Sequence, residues 1–379
     1  MILFVDQSGQ IGGAELCLAD LVVGWSDARV LLFSDGPFAA LLRARNIPVE
    51  VLPLPGAASR ITKSASLAKL AATIPGLFSH VLALSHQIRK ADLVYLNTAK
   101  ALIHGVAANL MPGKPSVFHL HDLLDPSHFS PVNIRLLVGA ANRTKAVIAN
   151  SQATADAFHV AGGTAPTHVI PNGFDPALFD KVTPDKVTAL RREFNPDNRP
   201  VVAIFGRLTR WKGQHILLQA AQDLPGVTFW LVGEALFTED DRAYANELRE
   251  QAEKSGHRIR MLGFREDIPE LMQAADIVAH CSTAPEPFGR VLVEAMLAGK
   301  PVVAAAAGGP KEIVEEGVTG FLTAPGDAKA LASALRSLAE SPDQCQKMGV
   351  AGRERARRLF SLALVREKTD ALLHSLLPS

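Results

Sequence analysis

Short, almost wholly apolar runs alternate with helical stretches along nearly the entire chain, and this alternation limits what it can fold into. The runs "ILFVD", "ARVLLFS", "VEVLPL", "DLVYLN", "PSVFHLH", "KAVIAN" and "THVIPN" carry too few polar residues to turn one face to water. Strands buried on both faces belong to parallel sheets covered by helices, and helical segments such as 14–24 and 99–110 lie between most of these runs. The rhythm breaks over 175–200, a stretch rich in Pro, Asp, Lys and Asn. It then restarts with "VVAIFG", "VTFWLV", "IRMLG", "DIVAHCS", "PVVAAAA" and "GFLTA". At 379 residues the chain exceeds one ordinary core. The expected architecture is therefore α/β, with two doubly wound Rossmann-like domains, 1–174 and 175–360, and a linker near 175–200.

Doubly wound sheets bind ligands beyond the carboxyl ends of their strands, so chemistry is expected in the loops there. Two such domains facing one another enclose a cleft. The formal net charge of +1 gives no general attraction for nucleic acid. Three scattered cysteines, Cys17, Cys281 and Cys345, have no metal-ligand spacing and suggest a reducing compartment. "MILFVD" lacks the basic lead of a signal peptide, and no apolar stretch reaches the roughly 20 residues of a bilayer span. A cytoplasmic protein is expected.

Four loops could carry chemistry. In "DQSGQIGGAE", Gly9, Gly12 and Gly13 let backbone approach a ligand at a helix start, where amides and dipole favour phosphate. The spacing is not G-x-G-x-x-G, and a tight turn is the plainer alternative. In "FHLHDLLDP", His119 and His121 alternate and share one side of their strand, placed to hydrogen-bond a sugar or phosphate or to move a proton. "FGRLTRWKG" gathers Arg207, Arg210 and Lys212 within six residues, either as counterions of a diphosphate or as a solvated basic loop. "EPFGRVLVEAMLAGKPVV" places Glu286 before a helix that starts around Gly289, and Glu294 in its second turn. Carboxylates accept paired hydrogen bonds from vicinal diols, and the amides of Phe288 and Gly289 are free to donate to ligand oxygens. The alternative is that Glu294 pairs with Arg290 at i, i+4 on a solvated face, although Val293 and Ala295 make that face apolar.

Together these stretches resemble the retaining, nucleotide-sugar-dependent glycosyltransferases of the GT-B fold, family 4 (glycosyl transferases group 1). The resemblance rests on "EPFGRVLVEAMLAGKPVVA" as the family's E-x7-E element, with "GRLTRWKG", "VIPNGFD", "GGPKEIVEEGVTGFL" and "IGGAE" in the expected order. It implies that Glu294 binds the nucleotide ribose and that Glu286, Phe288 and Gly289 bind the donor sugar. Arg207 and Lys212 would neutralise the diphosphate, approached from the other domain by Gly12 and Gly13. His121 and Glu286 would be the catalytic residues. Arg290 stands where the family often has an apolar residue, which bears on donor choice. The helix at about 361–379 would pack back on the first domain. The resemblance also implies retention of configuration, no metal and no cofactor, and the sequence has no D-x-D element in metal-binding context.

The implied partners are a nucleotide-sugar donor and a sugar or lipid-linked acceptor, as in cell-envelope polysaccharide or glycolipid synthesis. The stretch 51–91 has no acid but holds Arg60, Lys63, Lys69, Arg89 and Lys90 among Leu, Ile and Phe. That mixture suits peripheral contact with an anionic membrane at its inner face, or ordinary packing helices with basic outer faces. Two further readings of the whole chain are a nucleotide-sugar epimerase of similar shape and a sugar-nucleotide-binding module without catalysis.

Overall fold

The computed structural model describes residues 1–55, 67–126, 129–235, 238–255 and 258–377, with side chains of the helix Leu67–Arg89 from residue 76 onward. The chain divides into two compact units, Met1–Gly173 with Leu362–Ser379, and Phe174–Ser361. In unit 1 the strands are β1 (Ile2–Asp6), β2 (Ala28–Leu32), β3 (Val49–Val51), β4 (Leu93–Leu96), β5 (Ser116–Leu120), β6 (Ala146–Ala149) and β7 (Thr167–Val169). They form one parallel sheet in the order β3-β2-β1-β4-β5-β6-β7. Unit 2 carries β8 (Val201–Phe205), β9 (Thr228–Val232), β10 (Ile259–Gly263), β11 (Ile277–His280), β12 (Val302–Ala305) and β13 (Gly320–Thr323). These are also parallel, in the order β10-β9-β8-β11-β12-β13.

The apolar runs become central strands because both faces of each sheet are covered. Odd and even residues of β1 enter different cores, Ile2 and Phe4 on one side and Leu3 and Val5 on the other. Strand β8 divides in the same way, with Val201 and Ala203 opposite Val202 and Ile204. Each order reverses direction at one point, between β1 and β4 in unit 1 and between β8 and β11 in unit 2. Connections leave these neighbours toward opposite faces, which opens a crevice at their carboxyl ends.

One expectation fails. The stretch 175–200 is not a linker, because the helices Ala177–Asp180 and Pro184–Phe194 are part of unit 2. Phe179 and Leu190 enter its core, and the Arg191 guanidinium forks onto Asp276 at 2.9 and 3.2 Å. The polar composition belongs to the outward face of an amphipathic helix, whose inward residues are few but well placed. The helix Leu362–Leu376 returns to unit 1, where Val365, Leu372 and Leu373 join Leu18 and Val22, and Arg366 donates to the Asp20 carbonyl at 2.9 Å. Among the described residues no helix is long and apolar enough to cross a membrane.

Candidate active site

Unit 1 gathers polar side chains at its switch point. Asp6 ends β1, Asn97 follows β4 and His121 follows β5. Asn97 donates from Nδ2 to Asp6 Oδ2 at 2.6 Å and to the Ala14 carbonyl at 3.2 Å. A carbonyl only accepts, so these bonds fix the amide, and its Oδ1 accepts from His121 Nε2 at 3.0 Å. His121 therefore carries its proton on Nε2, which makes Nδ1 the basic nitrogen of the neutral ring. Its ring lies 3.8 Å from that of His119, in keeping with the shared side of the strand. His119 is buried, shares a 2.5 Å hydrogen bond with the Tyr95 hydroxyl, and is held neutral because burial pushes its pKa well down.

Two acids complete this cluster. Asp6 is fully buried, and desolvation together with the neighbouring Glu15 raises its pKa to about 7, against opposing hydrogen bonds from Asn97 and Ser8. Glu15 stands in the first turn of the helix Gly13–Val22, capped by Gly12. Burial raises the Glu15 pKa, while hydrogen bonds from the amides of Glu15 and Gly12 oppose the rise. Its carboxylate thus occupies the helix start at which Gly12 and Gly13 were expected to meet a diphosphate.

Unit 2 builds a different cluster at its own switch point. The loop after β8 brings in Lys212, and β11 ends at His280 with Ser282 just beyond. Both converge on Glu286. Lys212 Nζ lies 2.9 and 2.7 Å from the two carboxylate oxygens, Ser282 Oγ donates at 3.0 Å, and His280 Nε2 is 3.3 Å away. Burial alone would raise the Glu286 pKa. The Lys212 charge and the His280 hydrogen bond outweigh it and hold the carboxyl well below its ordinary range. Glu286 is therefore ionised at neutral pH.

Two glycine positions make this geometry reachable. Gly213 has φ +71°, and a side chain there would begin 1.9 Å from the Cys281 carbonyl oxygen. Gly308 has φ +74°, and a side chain there would begin 2.2 Å from the Glu286 carbonyl oxygen. The "GGP" loop thereby packs on the Glu286 backbone, where Gly309 N donates to the Glu286 carbonyl at 2.9 Å and Glu286 N to that of Ala307 at 3.2 Å.

The other predicted residues of unit 2 lie close by in sequence but differ in setting. Phe288 is buried, its ring against Phe174 and Phe360, so only its backbone can serve a ligand. Gly289 caps the helix Arg290–Leu297 with φ +102°. Among the described residues no hydrogen bond to the amides of Phe288 or Gly289 is found. Glu294 does meet Arg290 at i, i+4, at 3.6 Å, and Arg290 also covers the Phe174 ring at 4.5 Å. With 24% of its side chain exposed, the Glu294 carboxylate remains reachable. Arg210 is drawn off to Glu247 at 2.8 and 2.9 Å. Arg207 lies within electrostatic reach of Asp241.

The sequence reading missed Asp6, Asn97 and Glu15 in unit 1 and His280 and Ser282 in unit 2. A signal for the last two was present, since a histidine ending an otherwise apolar strand at the ligand edge needs a partner. Among the described residues no group of three or more His, Cys, Asp or Glu could hold a metal ion.

Two parallel α/β units, each with polar side chains gathered where its strand order reverses, have the architecture of the GT-B class of glycosyltransferases. The family models agree. Glycosyltransferase Family 4 matches residues 11–178 and glycosyl transferases group 1 matches residues 186–355, and the chain belongs to this family of nucleotide-sugar glycosyltransferases. Alpha-maltose-1-phosphate synthase of Mycolicibacterium smegmatis is 32% identical over 318 residues, 74% of this chain and 80% of that one. A GDP-mannose-dependent phosphatidylinositol monomannoside mannosyltransferase of Corynebacterium glutamicum is 25% identical, covering 99% and 97% of the two chains. Anabaena Alr3699/HepE, with structures in complex with UDP, with UDP-glucose, and with UDP and glucose, is 46% identical over 99% of both chains, with a TM-score of 0.88.

Proposed function

We propose that this enzyme transfers a hexose from a UDP-hexose to an acceptor hydroxyl with retention of anomeric configuration, without metal or cofactor. The observation that carries this reading is the Lys212–Glu286 pair beside the amides of Phe288 and Gly289, which have no partner among the described residues. Breaking the bond between the anomeric carbon and the diphosphate builds positive charge on the sugar and negative charge on the departing group. Lys212, Arg207 and the helix start at Gly289 would stabilise the negative charge. Glu286, kept ionised by its neighbours, would accept hydrogen bonds from hydroxyls of the donor sugar while Ser282 and His280 hold it in place. Glu294 would take the ribose, releasing Arg290, and His121 would be a further catalytic residue, as the family pattern implies. The preference for UDP rests on the 46% identity to a protein solved with UDP-glucose.

The test is turnover of UDP-glucose against GDP-mannose, with the anomeric configuration of the product read by NMR. Retained configuration and an unchanged rate in a chelator are expected. Inverted product, or a rate abolished by chelation and restored by a divalent ion, overturns the reading. An epimerase would convert donor without acceptor, and a binding module would leave it intact.

A second observation supports an acceptor at an anionic membrane. On unit 1, Phe78 and Leu82 of the helix Leu67–Arg89, Ile103 of the helix Ala99–Ala108, and Val132 and Leu136 of the helix Pro131–Ala141 are exposed large apolar residues. Exposed His86 and Arg89 continue the line of Phe78 and Leu82 along one helix face, and exposed Lys90 follows the helix end. Arg60 and Lys63 lie outside the described residues, as does the side chain of Lys69. Liposome binding that rises with anionic lipid content and falls in Phe78→Ser/Leu82→Ser supports this contact; no dependence on lipid charge removes it.

A further inference from the structure

The amino ends of the unit 2 strands hold a second cluster of charge, at the opposite edge of the sheet from Glu286. A cavity of about 440 Å³ opens there, lined among others by Arg191, Asn198, Arg199, Asp276, Lys300 and Gln346. Pro200, Asp276 and Pro301 sit immediately before β8, β11 and β12. The strands between the two sites are four or five residues long, so roughly 15 Å of sheet separates them.

The charges in this cavity do not balance. Asp276 is its lining carboxylate, and its oxygens are already taken. Oδ1 accepts from Arg191 at 2.9 Å, while Oδ2 accepts from Arg191 at 3.2 Å and from the Val201 amide at 2.8 Å. Among the described residues the Arg199 guanidinium pairs only with exposed Asp197, at 3.3 Å. Lys300 is mostly buried, yet no hydrogen bond or ion pair to its ammonium is found among the described residues. Burial pulls its pKa down; Asp276 pulls it up, but Arg191 and Arg353 beside it act with burial. Arg353 is held in that position by its 3.0 Å hydrogen bond to the Leu297 carbonyl. A buried cation crowded by two others, and without a hydrogen-bonded counterion among the described residues, is costly unless something anionic comes to it. Asn198 and Gln346 add carboxamides that suit hydroxyl groups, and Ile277, Leu338 and the prolines offer the apolar surface on which sugar C–H faces rest.

We propose that this cavity is a binding site for a small phosphate monoester with a hydroxylated body, a sugar phosphate, with Lys300 and Arg199 on the phosphate and Asn198 and Gln346 on the hydroxyls. The site is distinct from the donor site and shares no residue with it, so it stands or falls apart from the proposed transfer reaction.

Calorimetric titration of the full chain with glucose 6-phosphate, in saturating UDP so that the donor site is filled, tests the assignment, with glucose as the neutral control. Binding of glucose 6-phosphate but not glucose is expected, weakened about tenfold in Lys300→Gln by loss of a charge-assisted contact. Arg199→Gln, at a half-exposed position paired only loosely with exposed Asp197, should weaken it several-fold and keeps the test decisive if the Lys300 variant fails to fold. No binding at about 10 mM, equal binding of glucose, or an affinity unchanged in Arg199→Gln overturns the proposal.

Discussion

The helix Gly13–Val22 of unit 1 and the helix Arg290–Leu297 of unit 2 both begin at a glycine beside the switch point of a parallel sheet, yet they use their first amides differently. In unit 1 the chain supplies its own anion, because Glu15 folds back onto the amides of Gly12 and itself. In unit 2 the acid nearest the helix start, Glu286, is turned away to Lys212, His280 and Ser282, and the amides of Phe288 and Gly289 keep no partner among the described residues. One fold thus offers the same anion-binding feature twice, once filled and once open. The charge that fills it also sets the local chemistry. Unit 1 holds acids whose pKa values are raised, and unit 2 holds an acid whose pKa is depressed.

The strongest way to break this contrast is to remove the depressed acid. Glu286→Ala leaves Lys212 without its carboxylate, and the pair is mostly buried at 20% and 12% side-chain exposure. A loss of stability of about 3 kcal/mol is expected, at the low end for a broken buried pair because Lys212 can reach water. Turnover should fall about a thousandfold, since the proposed sugar contact and the position of Lys212 are lost together. Chemical denaturation and initial rates check both. A variant within tenfold of wild-type turnover would mean that the cluster is structural only.

The raised acid gives the next largest effect, and its sign is opposite. Between the ordinary value of 3.8 and about 7, folded Asp6 holds a proton that the unfolded chain has released. Stability therefore falls as pH rises through that window, by up to about 1.4 kcal/mol per unit, and the deficit is complete above it. Asp6→Asn cannot titrate and should flatten this slope, although its one oxygen can accept from only one of the two donors, the Ser8 amide or Asn97 Nδ2. Thermal unfolding of both forms from pH 4 to 8 checks the prediction, and parallel curves would refute it. Glu286 has the opposite sign and acts only at the acid end of this window, because its stabilising charge is fully present above the ordinary value of 4.5 and is lost as pH falls below it.

What could be read in the sequence divides along the same lines as the physics. The strands were legible because each buried run is apolar on both faces, a signal carried by every residue in it. Glu286 and Glu294 were legible because an acid in an apolar setting needs a reason. Their partners were not, because partnership is a property of the fold. Lys212 and Glu286 are 74 residues apart, and Asn97 lies 91 from Asp6. Helix 184–194 was read as linker because composition reports the outward face, whereas Leu190, with Val187, Phe194 and Arg191, secures the inward one. Gly12 and Gly13 announced a helix start, but nothing local said that Glu15, two residues on, would fill it.

Glu294 tests how far the unit 2 site extends beyond its ion pair. Glu294→Ala frees Arg290 as an added cation near the proposed donor site, and it removes the proposed acceptor for the ribose hydroxyls. The two changes oppose each other for a nucleotide but not for a free diphosphate. UDP should bind about tenfold more weakly, while pyrophosphate should bind as well or better. Calorimetry on both ligands separates the terms, and parallel losses would place Glu294 among the diphosphate contacts instead.

The smallest expected effect returns to the filled helix start. Glu15→Gln keeps an oxygen to accept from the amides of Gly12 and Glu15 but removes the negative charge. If Gly12 and Gly13 approach the donor diphosphate, as proposed from the family pattern, the wild-type carboxylate repels it there. The substitution should then tighten UDP-glucose about threefold, the scale of one charge at a helix end. Binding unchanged in Glu15→Gln, with Lys212→Ala greatly weakened, would confine diphosphate recognition to unit 2. The glycines of unit 1 would then serve only to bring Glu15 onto its own helix.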